Sequence, residues 1–313
     1  MPVRVPTHLH VPRESWRRPA TPSFEGQPLP HPDEPVFDQG LEFDVETLLS
    51  RRQVLRAMGY GALGAGLISL GACSPLGSTA SPGATTSTGG SAGSSFRAGT
   101  VDCDTAIPEE TAGPFPGDGS NGPDVLSQSG VVRADIRSSF GSSSTVAGGV
   151  PLTIRLAILD LARSCAPIDG AAVYLWHCDQ QGRYSLYSPG AENENYLRGV
   201  QAAQSDGIVT FSSVFPACYS GRWPHIHFEV YPNLDAAKSA GNKIATSQIA
   251  LPKDICDQVY ATSGYEQSVQ NLQGVSLSSD NVFGEDDGER QIGTISGSIA
   301  SGLAVDLSVP VSA

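Results

Sequence analysis

The chain has 313 residues with 19 Lys and Arg against 32 Asp and Glu, a net charge of −13, and 35 Gly and 23 Pro. Few charges and many turn formers exclude a coiled coil or helical bundle and favour short strands, while the acidic balance excludes a nucleic-acid binder, which needs clustered Lys and Arg. One N-terminal stretch accounts for the longest apolar run, so a multi-span membrane protein is excluded too.

In chain order, residues 1–48 are rich in Pro and charge, lack apolar periodicity, and read as a disordered leader. Ser50-Arg51-Arg52-Gln53 then precedes the mildly apolar run 57–72. A twin arginine before a Gly- and Ala-rich stretch is the pattern of a Tat export signal, assigned to 49–73. A leader of this length before the arginines points to a start codon downstream of Met1. Leu70-Gly71-Ala72-Cys73 fits a lipobox with Cys73 as the lipidated residue, and its small residues also fit ordinary signal cleavage. The expected location is therefore outside the cytoplasm, either anchored at Cys73 or released, with membrane contact only through signal or lipid. Gly59-Tyr60-Gly61-Ala62-Leu63-Gly64 satisfies the dinucleotide fingerprint, but it lies inside the export signal with no strand before it. Residues 74–99 form a Ser-, Thr- and Gly-rich linker.

The remaining domain, 100–313, reads as all-β. Within 150–161, Leu152, Ile154, Leu156 and Ile158 alternate onto one face. Residues 171–177, 208–215 and 225–231 are further β-rich runs. Between them lie turn signals at Ile168-Asp169-Gly170, Gln181-Gly182 and Ser205-Asp206-Gly207. The pattern predicts an antiparallel β-sandwich with long loops and little helix. One short helix is expected over 254–260, and 263–290 reads as loop-rich.

Outside the leader only His177, His225 and His227 remain. His225 and His227 are two apart on a predicted strand, so they share a face with Cα atoms roughly 6.5–7 Å apart. Two imidazoles so placed can converge on one metal. His177 follows an apolar run and reads as a structural hydrogen-bonder.

The surrounding motifs are more specific. They are Gly182-Arg183-Tyr184, then Tyr219, then Arg222-Trp223-Pro224-His225-Ile226-His227, with Thr111-Ala112-Gly113-Pro114-Phe115 upstream. In this order they resemble the intradiol ring-cleavage dioxygenases, the non-haem ferric enzymes that open catechols between their hydroxyls. The resemblance implies one Fe(III) per domain, held by Tyr184, Tyr219, His225 and His227, with Tyr184 and His225 equatorial and Tyr219 and His227 axial. It also implies that Tyr219 leaves the metal and takes up a substrate proton. Arg222 would stabilise negative charge on the ring, and Thr111, Gly113, Pro114 and Gln248 would line the substrate pocket. The implied partners are a small aromatic diol and O2, and the product is a muconate-type diacid.

The donor chemistry agrees with this. Ferric iron favours anionic oxygen donors over thiolates, and a phenol with a pKa near about 10 ionises at neutral pH only beside a strong cation. Two other readings compete: a metal-dependent hydrolase using His225, His227 and Glu229, and a lipid-anchored, metal-free binding module. The pairing of Cys103, Cys165, Cys178, Cys218 and Cys256, the oligomeric state and the ring substituents recognised are left open by the sequence.

Overall fold

A computed structural model describes residues 101–313 together with Phe96, Arg97, Gly99 and two short N-terminal strands, β1 (Ser23–Phe24) and β2 (Gln27–Pro28). The chain forms two units, Met1–Tyr60 and Gly61–Ala313. In the first, β1 and β2 pair antiparallel. The expected export signal, Cys73 and most of the linker lie outside the described residues.

In the second unit the alternating run becomes β3 (Pro151–Asp160), with Leu152, Ile154, Leu156 and Ile158 all buried. It is followed by β4 (Ala166–Pro167), β5 (Ala172–Trp176), β6 (Arg198–Ala202), β7 (Ile208–Val214), β8 (His225–Tyr231) and β9 (Ala245–Ala250). Helices α1 (Lys253–Tyr260) and α2 (Glu266–Gln273) come next, and the chain closes with β10 (Thr294–Ser298) and β11 (Gly302–Val311). One sheet runs β10-β11-β3, with β7 and the short β4 on the other flank of β3; the second runs β6-β5-β8-β9.

The two sheets pack through one hydrophobic cluster. Leu152, Ile154, Leu156 and Phe211 of the first meet Val173, Leu175, Ile226, Phe228 and Val230 of the second. Period-2 alternation sends the intervening residues of the second sheet to its other face. There Tyr174 and Trp176 join a separate cluster with Tyr184 and Tyr231. Every residue of β8 is buried, so both faces of this strand are covered. His225 and His227 thus lie on the face away from the sandwich core, under the loops rather than between the sheets.

One expectation needs correction. The sandwich is not wholly antiparallel: β11 runs parallel to β3 from Leu303↔Leu152 to Val311↔Asp160. A parallel neighbour needs a long crossover, and the excursion between β3 and β11 supplies it. The loop-rich stretch 263–290 also carries α2. α2 (EQSVQNLQ) buries only Ser268 and Leu272, so it shows no broad apolar stripe. Its docking includes polar bonds, with Ser268 Oγ accepting from Cys218 N at 3.0 Å and Asn271 Nδ2 donating to Cys218 O at 2.8 Å. Cys103 and Cys165 form a disulfide, while Cys178, Cys218 and Cys256 are free and buried.

Candidate metal centre

Tyr184 is delivered by a turn built on Asp179. Its carboxylate accepts from Gln181 N (2.8 Å), Arg183 N (3.0 Å), Arg183 Nε (2.9 Å) and Tyr196 Oη (3.0 Å). Gly182 sits at φ +79° in this turn, where a side chain would be strained, and an added Cβ would lie 3.3 Å from Tyr219 Cβ. Tyr184 is further held by its N–H to Ser188 Oγ at 2.9 Å. Tyr219 follows β7 on the loop that α2 grips through Cys218. His225 and His227 come from β8.

These four side chains converge. His225 Nε2 lies 3.0 Å from His227 Nε2, 3.1 Å from Tyr219 Oη and 3.4 Å from Tyr184 Oη, and the two phenol oxygens are 3.4 Å apart. His225 Nδ1–H donates to the Trp223 carbonyl, which leaves the Nε2 lone pair facing the cluster. Burial, with Arg222 adding repulsion, lowers His225 to about 3, and burial holds His227 well below its ordinary value. Both rings are therefore neutral. Burial likewise raises Tyr184 well above its ordinary value and pushes Tyr219 up to about 12. Two neutral imidazole nitrogens and two phenols thus share one small buried space, and a cation there would satisfy all four. The donor set suits a hard, highly charged ion. Among the described residues no cluster of three or more His, Cys, Asp or Glu forms a metal site.

Arg222 presents Nη1 to His225 Nε2 at 3.5 Å, while Nη2 donates to Gln248 Oε1 at 2.8 Å. Gln248 lies opposite His227 on β9, and its Nε2 donates to Thr111 O at 3.0 Å. Gly113 stands at φ +70°, and an added Cβ would meet His227 Cε1 at 3.3 Å. Pro114 O accepts from Asn121 Nδ2, and the Phe115 ring packs 4.9 Å from Tyr184. Segment 111–115 therefore borders the cluster directly. His177 is buried elsewhere, donating through Nδ1 to Cys178 O at 2.8 Å and accepting through Nε2 from Ser213 Oγ at 2.7 Å. Glu229, which the hydrolase reading requires, instead accepts from Tyr231 Oη at 2.6 Å and pairs with Lys243 at 3.0 Å.

Asp179, Arg198, Trp176 and Asp280 also shape this site, and the motifs did not single them out. Arg198 is fully buried and donates to Phe115 O, Pro116 O, Ser185 O, Ser185 Oγ and Tyr174 Oη, joining segment 111–116 to the loop that carries Tyr184. Its only sequence signal is an arginine among the β-forming residues of 198–202.

A two-sheet sandwich with two tyrosines and two histidines gathered on the outer face of one sheet defines a narrow class. The family model for dioxygenases matches residues 122–233. A chlorocatechol 1,2-dioxygenase from Rhodococcus opacus is 38% identical over 56 residues, which is 18% of this chain and 22% of that enzyme, so the match spans about a fifth of the curated relative. An intradiol ring-cleavage dioxygenase from Tetranychus urticae superposes with a TM-score of 0.53 at 25% identity, covering 66% of this chain and 95% of that one. Over residues 122–233 the chain matches the dioxygenase family model, and its domain is similar to the intradiol ring-cleavage dioxygenases.

Proposed function

We propose that the domain opens a catechol-type aromatic diol between its hydroxyls with O2, using one ferric ion held by Tyr184, Tyr219, His225 and His227. The carrying observation is the convergence of two phenol oxygens and two imidazole nitrogens within 3.0–3.4 Å around His225 Nε2. When bound, the ion would supply Lewis acidity that ionises phenols and diol alike.

The chain's own residues do the rest. Tyr219 is half-buried while the other three donors are buried, so it is the donor best placed to meet an entering diol. Its phenolate oxygen would take up a diol proton. Arg222 turns an N–H edge toward the cluster, where it offsets negative charge accumulating on the ring. Gln248 restrains Arg222 and ties it to Thr111, and Gly113 lets the backbone of 111–115 close over His227. The product is a muconate-type diacid. The acidic, tethered chain fits export by Tat, with Cys73 as a lipid anchor or the domain released.

The test is direct. Iron-loaded protein should be red-brown from tyrosinate-to-iron charge transfer, and anaerobic catechol should change that colour. With air, one O2 should disappear per diol opened. Protein that stays colourless after ferric loading, or that loads iron but consumes no diol from a panel of catechols, sinks the proposal.

A further inference from the structure

The cation at the edge of the cluster is held from outside it. Arg222 Nε donates to Asp280 Oδ2 at 2.9 Å, and Nη2 reaches Asp280 Oδ1 at 3.4 Å. The same carboxylate accepts Trp223 N at 2.6 Å, Val282 N at 2.9 Å and Phe283 N at 3.1 Å. All five contacts are donors, so only a carboxylate can accept them all, since an amide would turn an N–H against some of them. The Asp280 side chain is 0% exposed and that of Arg222 13%. A buried ion pair gains little net stability over an apolar pair of similar size, so its value here lies in what it orients.

The geometry fixes that orientation. Asp280 takes the Nε–Nη2 edge of the guanidinium and Gln248 shares Nη2, which leaves Nη1 directed at His225 Nε2. Asp280 also braces Trp223, whose carbonyl holds His225 Nδ1. The segment after α2, distant in sequence from every motif residue, thereby sets the guanidinium beside the cluster of His225 and the two tyrosines.

We propose that Asp280 is a positioning residue for intradiol cleavage, acting through Arg222. The inference rests on the ferric reading of the site. Asp280→Asn, Asp280→Glu, Arg222→Gln and the double variant Asp280→Asn with Arg222→Gln test it. Each is scored by iron content, visible band, anaerobic dissociation constant for 4-nitrocatechol, kcat and KM.

Asp280→Asn should keep iron and the charge-transfer band, lose kcat roughly tenfold to a hundredfold with KM little changed, and bind 4-nitrocatechol several-fold more weakly. The double variant should be no worse than Arg222→Gln alone, since the two residues act as one unit. If Asp280→Asn does not fold, Asp280→Glu keeps the charge but moves it by one methylene, and should show the same kcat loss in folded, iron-loaded protein. Multiplying effects in the double variant, or an unchanged kcat in both Asp280 variants, would overturn the assignment. Wild-type protein that takes up neither iron nor 4-nitrocatechol would instead overturn the ferric reading beneath it.

Discussion

The Trp176 indole lies flat on the His227 imidazole, with ring centroids 4.9 Å apart and planes 4° from parallel. The two residues are cross-strand partners on β5 and β8, so sheet register imposes the stack. The stack bears on His227 because its buried Nδ1 has no hydrogen-bond partner among the described residues. A histidine that holds a metal ordinarily fixes its ring through the second nitrogen, and the His225 ring is fixed in this manner, by the Trp223 carbonyl. For His227, stacking takes over that task.

Trp176→Leu should therefore cost about 2–4 kcal/mol in stability, somewhat under the roughly 3–5 kcal/mol for truncating a buried aromatic to Ala, and should also loosen iron. Trp176→Phe keeps a ring and should lose less of both. Denaturant midpoints and iron retention against a chelator check this. Equal iron retention by Leu and Phe variants would refute the stacking role.

Gly113 confines the same imidazole from the other chain segment. Gly113→Ala places a methyl 3.3 Å from His227 Cε1 and forces a non-glycine residue to φ +70°. The left-handed backbone alone costs about 1–2 kcal/mol. The variant should be destabilised by that amount and retain iron less firmly than wild type. A fully active, fully iron-loaded Gly113→Ala protein would show that the contact relaxes freely.

Much of this site was legible before any coordinates. The H-x-H pair, the two tyrosines and the Thr111–Phe115 motif carry distinctive residue types at short spacing, so the chain order of these motifs announces them. Strand β3 was equally plain because its alternation is clean. The supports were not legible. Asp280, Asp179 and Arg198 act through contacts that join distant segments, such as the 58 positions between Arg222 and Asp280, and a lone Asp in a loop carries no periodic signal. Strand β11 (GLAVDLSVPV) alternates as cleanly as β3, with Leu303, Val305, Leu307, Val309 and Val311 in the core and Asp306 on the opposite phase, yet it is not among the β-rich runs singled out. Asp306 is tolerated there because it pairs with Arg155, Nε to Oδ1 at 2.6 Å and Nη2 to Oδ2 at 2.7 Å. Helix α2 is held through polar contacts that hydrophobic patterning cannot detect.

Arg198 offers a prediction about the scaffold rather than the metal. It is a buried cation whose bonded partners are neutral carbonyls and hydroxyls, and its guanidinium also lies over the Tyr187 ring at 5.5 Å. Arg198→Met removes the charge but strands the carbonyls of Phe115 and Ser185, while Pro116 O keeps the Tyr174 hydroxyl. Each stranded acceptor costs about 1–3 kcal/mol, so the variant should lose roughly 2 kcal/mol or more. Arg198→Lys, able to reach only some of the partners, should fall between it and wild type. Both should weaken iron retention, because the loop bearing Tyr184 loses its brace. Urea midpoints with an unchanged slope identify the effect as one on stability.

Glu110 should impose a pH dependence on stability. Burial raises its carboxyl from 4.5 to about 7, Asp286 and Glu285 add to the rise, and Gln291 and Arg222 oppose it. Between about pH 4.5 and 7 the folded chain keeps a proton at Glu110 that the unfolded chain has released. The folded state binds more protons in that window, so stability falls as pH rises through it and levels off above about 7. Glu110→Gln is neutral at every pH and should abolish this fall. The variant should match wild type near pH 4.5 and exceed it near pH 8 by on the order of 1 kcal/mol, discounted for the partial exposure of the side chain. Urea titrations of both proteins across that range decide the matter, and parallel stability curves would show that Glu110 is ionised in the folded chain throughout.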